Sequence, residues 1–477
     1  MSLKRSIKKG VFYTGVSKYL GVLLTISIGV ILARLLRPQD FGIVAIVTVF
    51  VTFFNNLGSM GLGMAVIQNQ NLDKNDVKHI FTLSLIIGLG LAISFFLLSG
   101  IIADFYNTNE LITVIRVLSI AVFFFSIQIV PKAISQKALL FKKIGIITVV
   151  VQLTTGIIAI FLAYNGWKYY SLVIKSVLDA FFSFILFYYF APIKIIFPLK
   201  KDPLLKISRF SAFQFSFNFI NYFSRNSDNF LIGKFLGTST LGFYDMAYRL
   251  MMMPVQNLTH VITPVLLPVL SEIQDNRKLV YSSYLKVVRL LAIIGFPLSV
   301  FLYFSAEDII FIMYGNQLDN SIPVFKILAL TIGIQMILSS SGSIFQVLDR
   351  TDLLFYSGLL SAIIMVSGIL YGVFIGGTLE SIGFGLLVAF NFNFFQSFYL
   401  LINKALKMNF LYFLKSFLIP ILLAILIGIT LFFINKIGIS SHFVSLLLNS
   451  VVLVLFMYLG IYFNSDTKLL LRNILKR

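Results

Sequence analysis

Apolar runs of about 20 residues recur fourteen times along the chain, separated by short clusters of charge, Pro, Gly and Asn. That length is what an α-helix needs to cross the hydrocarbon of a bilayer. The breaks predict spans near 11–34, 41–67, 79–102, 111–131, 144–164, 169–190, 209–235, 241–270, 285–305, 322–347, 353–375, 380–402, 411–434 and 441–463. None of the breaks could hold a folded soluble domain. Composition agrees: 58% of the 477 residues are hydrophobic and 12% charged, against about 45–50% and about 25% in soluble domains. A chain of this size has too little interior to hide so much apolar side chain, which excludes a soluble enzyme. Lys4, Arg5, Lys8 and Lys9 precede the first run without a small-residue cleavage site, so that run reads as a retained span. The absence of cysteine excludes disulfides, thiolate metal sites and Cys nucleophiles.

The net charge of +20 would point to nucleic acid in a soluble protein, but here Lys and Arg fall in the breaks. With the N-terminus inside and residues near span ends counted with the adjoining break, 27 of them lie in inner segments, 5 in outer breaks and 6 within spans. The positive-inside rule therefore puts both termini in the cytoplasm. Trp167, Tyr169 and Tyr170 fall where an outer aromatic belt would sit. An internal repeat appears at an offset of 200. Ile31-Leu32-Ala33-Arg34-Leu35-Leu36 followed by Phe41-Gly42-Ile43 matches Leu231-Ile232-Gly233-Lys234-Phe235-Leu236 followed by Leu241-Gly242-Phe243. Both copies join an odd-numbered span to the next, so they cross the membrane in the same sense, as in transporters with parallel repeats. The expected fold is all-α: an N-terminal lobe over 1–190, a cytoplasmic linker over 191–208, a second six-span lobe over 209–402, and two further spans with a basic tail over 403–477.

The stretch Ile31-Leu32-Ala33-Arg34-Leu35-Leu36-Arg37-Pro38-Gln39-Asp40-Phe41-Gly42 resembles the first signature of Wzx-type polysaccharide transporters, the lipid-linked oligosaccharide flippases of the MOP superfamily. Pro264-Val265-Leu266-Leu267-Pro268-Val269-Leu270-Ser271 resembles that family's eighth-span ending. Span count, basic central loop and repeat agree with the resemblance over essentially the whole chain. It implies export of a polyprenyl-pyrophosphate-linked oligosaccharide for O-antigen, capsule or exopolysaccharide assembly in a bacterial cytoplasmic membrane. Polymerase and chain-length proteins are the implied partners.

Charges inside spans are the informative residues, since each costs about 2.5–3.5 kcal/mol at a helix centre. Lys18, Arg116, Lys175, Arg225, Arg249 and Lys326 are basic, and Asp179, Asp228 and Asp245 acidic. At about 1.5 Å per residue, Arg225 and Asp179 lie near the midplane, whereas Arg116 and Lys326 are close enough to a helix end to snorkel. Lys175/Asp179, Asp245/Arg249 and Arg225/Asp228 are three or four apart and can neutralise themselves on one helix face, which is a purely structural use. Span 7 points further. Ser211, Gln214, Asn218, Asn221, Arg225 and Asp228 or Asn229 form one polar stripe at helical spacing, which lipid would not tolerate. Subtracting 200 puts Thr14, Lys18, Gly21 and Thr25 on the matching face of span 1.

Lys18, Arg225 and Arg249 are therefore expected to bind the anion, and Gln214, Asn218 and Asn221 the sugar hydroxyls. Asp179 and Asp228 are the expected H⁺ or Na⁺ carriers. His260 lies among Pro254, Pro264 and Pro268, which predict a bent or broken span 8. Gln335, Ser339, Ser343 and Gln346 form a second stripe, read first as packing. Glu307-Asp308 reads as part of a solvated outer loop. No phosphate-binding Gly-Lys-Ser/Thr loop is present, so no nucleotide, cofactor or metal is called for. A cation-coupled multidrug exporter of the same superfamily should instead show midplane acids without basic neighbours. A multispan glycosyltransferase or polymerase should show larger, motif-bearing outer loops.

Overall fold

In the computed structural model, residues 3–59, 62–68, 72–198, 222 and 226–463 are described. The described residues are 87% helical and contain no strand. In chain order the helices are α1 (Leu3–Leu35), α2 (Pro38–Ser59), α3 (Leu62–Gln68), α4 (Lys74–Leu97), α5 (Ser99–Tyr106), α6 (Glu110–Ile127), α7 (Ile129–Lys137), α8 (Phe141–Tyr164) and α9 (Tyr170–Phe190). A helix over 226–235 (α10) follows. Then come α11 (Thr238–Ser271), α12 (Arg277–Phe304), α13 (Ala306–Tyr314), α14 (Ile322–Ala329), α15 (Ile332–Leu338), α16 (Ser341–Val347), α17 (Thr351–Tyr371), α18 (Leu379–Tyr399), α19 (Phe410–Lys415), α20 (Leu418–Lys436) and α21 (His442–Phe463). Eleven described helical segments are long and apolar enough to cross a bilayer, and a pair bent by 50° between 316–329 and 332–347 makes a twelfth. Span 7 falls largely outside the described residues and α11 is not among these twelve, so the count of fourteen rests on the sequence.

The chain forms two compact units, Met1–Gly242 and Phe243–Arg477. In the first, α1 lies along α8, with Ser17 filling the space a side chain at Gly145 would need and Ile28 that at Gly156. Small residues at such crossings let helices approach closely where apolar burial alone gives little drive. Lys137 Nζ donates to the Val66 carbonyl at 3.1 Å, and Ile196 N–H to Thr82 Oγ1 at 3.1 Å. These bonds gather the ends of α3, α4, α7 and α9 at one end of the unit. The α1–α2, α5–α6 and α8–α9 breaks gather at the other. Alternate breaks thus meet at opposite ends, as successive membrane crossings require.

The sequence repeat is also a repeat of helix boundaries. α1 stops at Leu35 and α2 starts at Pro38, while α10 stops at 235 and α11 starts at Thr238. Leu36 N–H bonds the Leu32 carbonyl at 2.9 Å and Leu236 N–H the Ile232 carbonyl at 2.8 Å. The two turns also touch. A methyl group on Gly42 would overlap the Thr238 carbonyl, and one on Gly242 would overlap the Pro38 carbonyl. The crossing is therefore backbone on backbone and reciprocal.

In the second unit α12 packs against α15, α20 and α21, and α17 against α18. Two expectations change here. The three prolines do not break span 8: α11 runs unbroken for 34 residues. Span 10 is instead broken, into α14, α15 and α16. Thr331 Oγ1 donates to the Leu328 carbonyl at 2.6 Å, and Ser339, Ser340 and Ser341 donate to Met336, Ile337 and Leu338 at 2.7, 2.7 and 2.8 Å. Hydroxyls bonded to their own backbone in this way bend helices.

Candidate functional site

A polar seam runs through the first unit between α1, α8 and α9. Lys175 Nζ and Asp179 Oδ2 are 2.6 Å apart, one turn along α9, and Thr155 Oγ1 of α8 donates to the other carboxylate oxygen at 2.5 Å. Thr155 is fully buried, so Asp179 has both oxygens held by fixed donors. One turn away on α8, Gln152 Nε2 donates to the Gly21 carbonyl at 3.0 Å and to Thr25 Oγ1 at 2.5 Å on α1. A side chain at Gly21 would meet Gln152 Oε1 at 3.3 Å. The small and polar positions expected on span 1 are thus partly spent on α8. Lys18 is not: it is exposed on α1 and has no ion pair among the described residues.

Arg249 and Asp245 pair at 2.8 Å within α11, with the aspartate buried and the arginine half exposed. Asp228, on α10, is buried and its Oδ1 accepts the Asn229 N–H at 2.8 Å. Gln214, Asn218, Asn221 and Arg225 lie outside the described residues, as does the His260 side chain. Gln335 Nε2 donates to Thr331 Oγ1 at 2.7 Å and contacts Met251 Sδ at 3.1 Å, a packing role.

Asp308 corrects the reading of a solvated loop. It lies in α13, buried, with Oδ1 2.7 Å from His442 Nδ1 and Oδ2 accepting from Ser445 Oγ at 2.6 Å. The His442 ring also packs on Phe311 at 4.1 Å between centroids. The acid fastens the start of α21 to α13. His442, which carries no signal in the sequence, finds its partner 134 residues away.

At the other end of the first unit, the three gathered breaks enclose a cleft of about 600 Å³. The turn 165–169 presents Trp167, half exposed, between Gly166 at φ +80° and Lys168 at φ +45°. Glycine meets the first of these left-handed conformations without cost, whereas Lys168 does not. Asp40, buried in α2, accepts the Arg37 N–H at 2.9 Å and the Tyr169 N–H at 3.2 Å, tying two rims together. The Tyr169 and Tyr170 rings lie 4.7 Å apart. Burial, with the Tyr170 hydroxyl beside it, pushes Tyr169 up to about 12, so its phenol keeps its proton throughout the physiological range.

A helical protein with this many apolar crossings is a multi-pass membrane protein. The chain belongs to the polysaccharide biosynthesis protein family, which it matches over residues 31–323. It is 23% identical to the lipopolysaccharide biosynthesis protein WzxC of Escherichia coli over 434 residues, covering 89% of this chain and 87% of that protein. It is 25% identical to the teichuronic acid biosynthesis protein TuaB of Bacillus subtilis, covering 90% and 89%. Among solved structures, the inward closed form of the lipid II flippase MurJ has the same fold, with a TM-score of 0.72, 14% identity, and 97% and 99% coverage. An inward-facing multidrug resistance MATE transporter of the MOP superfamily follows at a TM-score of 0.60, 16% identity, and 81% and 95% coverage.

Proposed function

We infer that the protein is a secondary transporter that flips a polyprenyl-pyrophosphate-linked oligosaccharide across the bacterial cytoplasmic membrane. One observation carries most weight: a chain of the polysaccharide biosynthesis family shares, over nearly its whole length, the fold of a protein named as a lipid II flippase. The physical need is plain, because a pyrophosphate and a glycan entering hydrocarbon would lose every hydrogen bond they make to water. Lys18, Arg225 and Arg249 supply cationic contacts for the pyrophosphate, and Gln214, Asn218 and Asn221 supply amides for sugar hydroxyls. The exposure of Lys18 supports its part, since a lysine with no ion pair among the described residues is open to a ligand. Rocking of two six-span lobes gives alternating access. Both termini are cytoplasmic, and Asp179 and Asp228 carry the coupling H⁺ or Na⁺.

A multidrug exporter of the same superfamily is the second reading, favoured by the shared MATE fold. Against it weigh Asp179 and Asp245, each paired with a cation at 2.6–2.8 Å, since a site for cationic drugs needs uncompensated acid. Purified protein in liposomes tests both. Lipid-linked oligosaccharide is expected to reach the opposite leaflet without ATP, and extrusion of a cationic dye with no glycolipid movement would overturn the flippase reading.

A further inference from the structure

The cleft at the end of the first unit has no part in the transport site inferred above, yet it is built as a ligand site is built. We propose that it binds saccharide, as a separate glycan subsite on the outer face of the membrane. The inference rests on the flippase reading for its sidedness and for the source of its ligand.

A pyranose ring offers a face of C–H bonds and a rim of hydroxyls. An aromatic plane matches the face, and amides, carboxylates and cations match the rim. Both are present. Trp167 stands half exposed with Tyr169 and Tyr170 behind it, and Gln39, Glu110, Asn165 and Lys168 line the same cavity. Its volume of about 600 Å³ falls inside the range of about 300–1,000 Å³ typical of small-molecule sites. Charge excludes a simpler ligand. Arg37 and Lys168 line the cleft together with Asp40 and Glu110, two charges of each sign, so an isolated phosphate or lipid headgroup meets no net positive charge. Saccharide hydroxyls can use donors and acceptors of both signs.

Preorganisation is a second, independent sign. Trp167 is held by its own N–H to the Leu162 carbonyl at 3.1 Å and by its carbonyl accepting from Tyr170 N–H at 3.0 Å. Lys168 keeps a left-handed backbone that a lysine adopts only under constraint. Asp40 spends both oxygens on the backbone of two rims, which makes it a positioning residue. An aromatic carried on a fixed main chain has only its two side-chain torsions left to order when a ligand arrives.

Trp167 is the chain's single tryptophan, so its fluorescence reports the cleft alone. The protein in nanodiscs is titrated with oligosaccharide released by mild acid from the lipid-linked intermediate of the host strain. A saturable change in emission is expected. Asn165→Ala and Gln39→Ala each remove one hydrogen-bonding group and should weaken it about 3- to 10-fold. Glu110→Gln keeps the hydrogen-bonding shape and should weaken it less. No saturable response, or variants with unchanged affinity, overturns the subsite. So does an equal response to inorganic phosphate or to phosphatidylglycerol vesicles. Translocation in liposomes is measured on the same preparation. Translocation without a Trp167 response refutes the subsite and leaves the flippase reading standing, whereas a Trp167 response without translocation does the reverse.

Discussion

Lys18 on α1 and Asp179 on α9 are in opposite circumstances. Asp179 has its charge matched by Lys175 and a hydroxyl donor on its second oxygen. Lys18 has no ion pair among the described residues. Replacing Lys18 by Ala should leave membrane abundance unchanged and lower surface glycan in a flippase-deleted strain about 10-fold or more, the weight of a hydrogen bond to a charged group. Lys18→Arg should retain a substantial part, since the cation survives with altered geometry. Asp179→Asn removes the charge paired with Lys175 and leaves one acceptor oxygen for two donors, and should lower stability by about 1–3 kcal/mol, read as a fall in the thermal midpoint in detergent. If Asp179 also carries the coupling ion, the variant should lose gradient-driven uptake while keeping exchange at equal concentrations. Uptake that still responds to the gradient would remove Asp179 from that role.

At the scale of elements, the two repeated turns give a stability test with an internal control. Gly42→Ala and Gly242→Ala each drive a methyl group into a main-chain carbonyl, which cannot rotate away. Each should cost about 1–3 kcal/mol, as overpacking does. Gly15→Ala and Gly29→Ala have no neighbour within 4 Å and should be neutral or stabilising by up to about 1 kcal/mol through helix propensity. Equal midpoints for all four variants would show the crossing to be unimportant. His442→Ala should loosen the start of α21 and raise protease or hydrogen-exchange sensitivity there, with Asp308→Asn having a smaller effect because the amide still accepts from Ser445.

For the molecule as a whole, a chain without cysteine makes any introduced thiol unique. A cysteine at 202 should react only from the cytoplasmic side and one at 165 only from the outside. Labelling of 202 in intact cells would sink the orientation. The spans and their alternation were legible because breaks such as Arg37-Pro38 and Asn165-Gly166 interrupt the apolar runs locally, and so was the turn repeat, which is a match of letters. What joins distant segments was not. Gln152 meets Thr25 across 127 residues, and Asp308 meets His442 across 134. Neither residue type announces its partner at that range. The cleft lies between these cases. Trp167 stood out as a belt residue, and the equal parity of the breaks near 36, 108 and 166 places them at one membrane face. Only the fold shows them closing around a single volume. The broken span 10 was missed because Ser339 was read as one member of a packing stripe, whereas it and its neighbours Ser340 and Ser341 bond their own backbone.

The crossing of Gly42 and Gly242 has the logic of a homodimer interface written into one chain, since each copy of the turn offers the surface the other copy receives. Such an interface evolves under a double constraint. A larger side chain in one copy finds no smaller one to yield in the other, because both are already at the minimum. The atoms that meet at the two glycines are uncharged main-chain carbonyls, so salt that screens Lys175–Asp179 or Arg249–Asp245 does not act on them directly. Because the opposing atoms are main chain, no rotamer change on either side can make room for a larger residue there.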